Sequence, residues 1–299
     1  MNHLASLVRR NIKIFYRTKG NIFFSCLAVI IVVALHFAIF RDVYTDNWVS
    51  ITSHIPGLSV ERTDLLWLSD SLMFAAIIHI GAVTISLTVL GLMVADRESN
   101  ALSDFLVAPI RRSHLLASYL ISSILVCFAI LLGFIVFFQI YFLIVYGLSF
   151  TLVQIGLIFL GTVGSVMFGN IFMLLLISFF KKQQTLSPVG AIVGVLMGFV
   201  TGAYIPLGMF GEIIGNMFSA LPFAQLTVLI RGAFLHTLES VTPLTHEMIS
   251  GEIARGFGIE LWLGDNLIPT WGVILMASGV TLALLLCLTV RFARMKKAE

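Results

Sequence analysis

Residues 71–95 read SLMFAAIIHIGAVTISLTVLGLMVA, a run of 25 positions without one Asp, Glu, Lys or Arg. A helix rises 1.5 Å per residue, so about 20 apolar residues cross the roughly 30 Å hydrocarbon layer of a bilayer. This run is long enough and shows none of the strict alternation of a barrel strand. In lipid only helices and closed barrels satisfy their own backbone hydrogen bonds, so it reads as a membrane-spanning helix. Comparable runs lie at 22–40, 115–146, 152–180, 189–205 and 269–290. Together they predict six spans in one all-α membrane domain covering 1–299, with both termini on the same side. The composition agrees: 59% of residues are hydrophobic and 11% charged, and the mean hydropathy is +1.04, against about 25% charged residues in soluble domains.

The charges outside the spans are segregated. Arg9, Arg10, Lys13, Arg17, Lys19, Arg97, Arg111, Arg112, Lys181, Lys182, Arg291, Arg294, Lys296 and Lys297 fall on one side, 14 of the 18 basic residues; Arg41, Arg62, Arg231 and Arg255 fall on the other. The positive-inside rule makes the first side cytoplasmic and places both termini there, in a cytoplasmic or inner membrane. Residues 1–20 combine Leu4, Leu7, Val8, Asn11, Ile14 and Phe15 at helical spacing with basic residues on the other face. That pattern predicts an amphipathic helix lying on the inner leaflet. The three cysteines, Cys26, Cys127 and Cys287, sit inside apolar runs and read as packing residues.

The external segment 206–268 opens with an apolar stretch broken by Gly208, Gly211, Gly215 and Pro222. Neither half is long enough to span, which predicts a helical hairpin dipping back into the outer leaflet. In the fifth span Gly190, Gly194, Gly198 and Gly202 recur every four residues, predicting a close-packed helix face that serves internal packing or a dimer seam. Polar residues inside the spans are few: His36, His79, Gln139 and Asn170. None has a carboxylate partner in sequence, and interhelical hydrogen bonding is the preferred reading. His79 and Asn170, with Glu212 in the hairpin, are the candidates for a cargo path.

The cytoplasmic segment 96–112 is the most informative. Leu102, Phe105 and Leu106 fall at helical spacing on a short element that Pro109 ends. Such an apolar face lies on the membrane or plugs into a groove on a cytoplasmic partner. Glu98, one turn before Leu102, either pairs with a basic group on that partner or caps the short helix. The Asp96-Arg97-Glu98 opening, the Leu102, Phe105 and Leu106 core, the Ala108-Pro109 step and the Arg111-Arg112 pair resemble the coupling segment of type-2 ABC exporter permeases. The Gly202-Ala-Tyr-Ile-Pro206 step, the broken hairpin and Leu221-Pro222-Phe223 leading to Arg231-Gly232 extend the resemblance over nearly the whole chain. Ser99-Asn100 stands where that family commonly has a small residue and glycine.

The resemblance implies a permease whose segment 96–112 docks on a separate ATP-binding subunit. It also implies a second permease copy, identical or paralogous, and an amphipathic cargo such as a drug, peptide or lipid. No glycine precedes any lysine, so the chain has no Walker-type phosphate loop. ATP and Mg are therefore expected on the partner and no cofactor on this chain, which is read as no enzyme itself. No nucleic-acid surface is visible. The alternative, a secondary transporter driven by an ion gradient, calls for carboxylates inside the membrane, and only Asp70 and Asp96 approach the span ends.

Overall fold

The computed structural model describes residues 3–55, 58–101 and 112–295. Helix α1 is His3–Arg17. Helix α2, Lys19–Leu35, runs through a π-turn at His36–Phe40 into α3, Arg41–Thr52. Then come α4 at Arg62–Glu98, α5 at Arg112–Tyr146, α6 at Leu152–Ile177 and α7 at Gln183–Val200. After a 3-10 turn at Leu207–Phe210 lie α8 at Gly211–Ser219, α9 at Pro222–Phe234, α10 at Leu238–Val241 and α11 at Glu252–Phe257. A hairpin of β1, Leu261–Leu263, and β2, Asn266–Ile268, leads into α12, Thr270–Met295. Among the described residues, six helical stretches are long and apolar enough to cross a membrane, each containing or overlapping one of the expected runs. The first, Lys19–Thr52, continues as helix well past residue 40, where the expected run ends.

Helix α4 is the centre of the molecule. Between Ser71 and Ala95 it carries no charge on any face, which marks a helix enclosed by apolar neighbours, and residues from Trp67 to Leu87 are buried without interruption. Helices α2, α5, α6, α7 and α9 surround it. The outer helices keep apolar side chains exposed, Ile144 at 76% and Leu152 at 88%, as a lipid-facing surface requires. Close approach of α4 and α6 depends on Gly169: a Cβ there would stand 3.0 Å from the Ala82 carbonyl oxygen.

The broken apolar stretch forms the expected hairpin, in which Leu207–Ser219 and Pro222–Val241 meet at 102°. Pro222 opens α9 at a position where its missing N–H costs nothing. The second arm of the hairpin is helix α9. Helix α9 turns back into the core against α4, α6 and α12, with nearly every residue buried. Arg231, assigned to the outside by charge, is fully buried. Beyond it α10, α11 and the β-hairpin form a small lobe, held to α3 where Trp48 stacks on Phe257 at 3.9 Å. The two strands are the one exception to an all-α fold among the described residues, with Leu261 opposite Ile268 and a turn at Gly264.

Candidate functional site

Between α2, α4 and α7 lies a groove of about 720 Å³, within the usual size of a small-molecule site. Phe24, Leu27 and Ile31 form one wall, Thr84, Leu87 and Thr88 another, and Leu186, Gly190 and Gly194 the third. None of its lining residues is charged; Asn21, Gln183 and Ser187 place neutral polar groups near one end.

The α7 glycines do not act as one face. Gly190 admits Leu87, whose Cδ2 would lie 2.9 Å from an added Cβ, whereas Gly194 has nothing within 4 Å and leaves the groove wide. Gly198 makes room for the Tyr204 ring, which folds back from the chain after the helix. Gly202 lies beyond the helix altogether, at φ +67°. The bonds from Gly202 N–H to Phe199 O and from Ala203 N–H to Gly198 O complete a Schellman turn there, for which a left-handed glycine is suited. The expected four-residue periodicity therefore mixes two groove positions with two positions of the helix end.

At the basic end, Asp96 binds Arg10 through two hydrogen bonds of 2.6 and 2.9 Å and accepts another from the Tyr119 hydroxyl at 2.5 Å. The bond to Asp96 holds the Arg10 guanidinium above its ordinary pKa, so the cation persists across the physiological range. Helix α1 has the expected two faces, and its buried Leu7, Asn11 and Phe15 pack against neighbouring helices, chiefly α5. Arg97 donates to the Phe180 carbonyl at 3.2 Å, and Glu98 accepts the Gln183 backbone N–H at 3.0 Å. Glu98 thus sits at the N-terminus of α7, a helix that begins 85 residues further along the chain. Leu102, Phe105, Leu106, Pro109 and Arg111 lie outside the described residues, and Arg112 begins α5.

At the far end of α4 lies a cluster that sequence reasoning missed. Asp70 is fully buried; it bonds His36 Nε2 at 2.7 Å and accepts from Arg41 Nε at 3.1 Å, the Tyr141 hydroxyl at 2.7 Å and the Tyr146 hydroxyl at 2.6 Å. His36 has no carboxylate near it in sequence; folding supplies one, because His36 and Asp70, 34 residues apart, face each other on antiparallel spans. The π-turn that begins at His36 was a further signal, visible only in the backbone.

Arg231 is the second missed feature. Its Nε donates to Leu72 O, Nη1 to Phe257 O and Gly258 O, and Nη2 to Thr201 O and Gly202 O, between 2.9 and 3.3 Å. Four of these carbonyls are at the C-terminal ends of α7 and α11, where helix dipoles concentrate negative potential.

His79, Asn170 and Glu212 are not brought together. His79 bonds Ser165 Oγ at 2.9 Å between α4 and α6, and Asn170 donates to Val166 O at 2.8 Å. Neither lines the groove. Glu212 belongs to a separate cleft of about 270 Å³ beside the small lobe, with Arg255, Glu260 and Trp262.

A bundle of long apolar helices around one buried helix, with a lateral uncharged groove, is the architecture of a multi-pass membrane protein. The chain belongs to the ABC-2 type transporter family, whose family model matches residues 2–235, from α1 through α9. No curated protein and no solved structure matches the chain. The family makes this chain the transmembrane part of an ABC transporter, a part that is not itself catalytic.

Proposed function

We propose that the chain is the permease of an ATP-driven exporter, working with a cytoplasmic ATP-binding subunit and a second permease copy in the cytoplasmic membrane. The observation that carries this reading is the groove between α2, α4 and α7. It is large, uncharged and bordered by neutral polar groups at the basic end, features that suit an amphipathic cargo such as a drug, peptide or lipid. The basic end faces the cytoplasm by the distribution of Lys and Arg. Segment 96–112 leaves α4 there and docks on the ATP-binding subunit with Phe105 as its apolar anchor; ATP and Mg bind that subunit.

Truncating a buried interface aromatic commonly costs about 2 kcal/mol, roughly thirtyfold in affinity. Phe105→Ala is therefore expected to weaken binding of the ATP-binding subunit by about that factor, measured on the detergent-solubilised permease. Unchanged affinity would remove the docking role from this segment. One observation favours a transporter driven by an ion gradient instead, the buried His36–Asp70 pair. Arg41, Tyr141 and Tyr146 already occupy that carboxylate, which argues for a structural tie. Cargo movement in proteoliposomes under a proton gradient without ATP would decide for the rival.

A further inference from the structure

The turn between α6 and α7 is held by α4 at three points. Arg97 Nη1 donates to Phe180 O at 3.2 Å, Glu98 Oε2 accepts from Gln183 N at 3.0 Å, and Gln183 Nε2 donates to Gly91 O at 2.6 Å. Arg97 and Glu98 are the last residues of α4, so the chain passes from them directly into segment 99–111. Helix α7 has no cap of its own: Lys182, its N-cap residue, makes no side-chain cap bond. Its first N–H groups need an acceptor, and a carboxylate is the favoured partner at a helix N-terminus. Here the carboxylate comes from another helix. From that fixed foot α7 rises along the groove, contributing Gly190 and Gly194 to its wall.

We propose that Arg97 and Glu98 are positioning residues that clamp the foot of α7, so that a displacement of the segment following α4 is delivered to the groove wall. Arg97 acts through the turn that leads into α7 and Glu98 through the first residue of α7, neither of them on cargo. The proposal rests on the exporter reading, in which that segment follows the ATP-binding subunit. Glu98 is exposed, and an exposed hydrogen bond adds little to stability. Its loss therefore leaves the fold in place and shows itself in motion.

The test uses the full permease with its ATP-binding subunit in proteoliposomes, in a background without Cys26, Cys127 and Cys287, spin-labelled at Ala28 and Ala191 across the groove. The readout is the change in label distance on adding ATP, with subunit binding and hydrolysis followed in parallel. Glu98→Ala removes the acceptor. Gln183→Pro removes the backbone donor, and with it the side-chain bond to Gly91 O, at the first helical position, where proline is tolerated; the preceding Lys182 already has the extended backbone that proline demands, φ −129° and ψ 142°.

The distance change is expected to be lost in both variants while the subunit stays bound and hydrolyses ATP, and the double variant should be no worse than Gln183→Pro alone. Glu98→Gln, whose amide oxygen still accepts the N–H, should restore it. Persistence of the change in Glu98→Ala overturns the proposal, including the case where Gln183→Pro fails to fold. Failure of the unsubstituted permease to bind the subunit overturns the exporter reading, and the clamp with it.

Discussion

Arg231 carries its guanidinium into the centre of the bundle with every N–H donor bonded to a backbone carbonyl. An arginine has five such donors in a fixed planar fork, and here five acceptors converge on it. The cation joins α9 to α4 and gathers the ends of α7 and α11, so it acts as a staple between the re-entrant helix and the small lobe. Arg231→Met would leave these acceptors without their donors. Because some stay buried, the expected cost is about 3 kcal/mol, read as a lower midpoint of thermal unfolding in detergent; Arg231→Lys would recover only part, having three donors and no fork. Asp70 is the opposite case, an anion saturated by donors from α3, α5 and the π-turn. Neither role was legible in the sequence. Arg231 looked like one of four basic residues outside the membrane, because a charge near a span end is placed by default in water.

Helix α7 shows how far a periodic pattern can be read. The spacing of its glycines was plain, but Gly190 and Gly194 open a groove while Gly198 and Gly202 build a helix end. The two kinds of position predict different consequences. Gly198→Ile would overlap the Tyr204 ring and destabilise the fold by about 1–3 kcal/mol. Gly194→Ile meets open space, so the thermal midpoint should hold while the groove narrows and cargo transport falls. Equal destabilisation by both would show that Gly194 is closed off in the native assembly. By contrast, the role of α4 was half legible. Its 25 uncharged residues announced a span, and the absence of a polar stripe fits its position at the centre.

At the scale of the whole molecule, the described ends differ in kind. One carries Arg10, Asp96, Arg97 and the Lys181-Lys182 turn, and the other carries the Asp70 cluster and the small lobe. If the basic end is cytoplasmic, a cysteine at exposed Lys182 should react with an impermeant thiol reagent only from inside, and one at exposed Glu247 only from outside. Labelling intact cells and inverted vesicles, with the native cysteines replaced, measures this directly; the reverse pattern would invert the orientation.

Composition and run length were enough to establish that the chain is a helical membrane protein, how many spans it has, where the hairpin breaks and which end is basic. They suffice because they record the free energy of moving each residue out of water. Folding alone settled that α4 is enclosed while its neighbours face outward, that His36 meets Asp70, that Arg231 is buried and that Glu98 caps α7. The reason is that lipid and protein interior are equally apolar neighbours. Hydropathy reports that a side chain has left water, and only packing reports whether it has met an acyl chain or another helix.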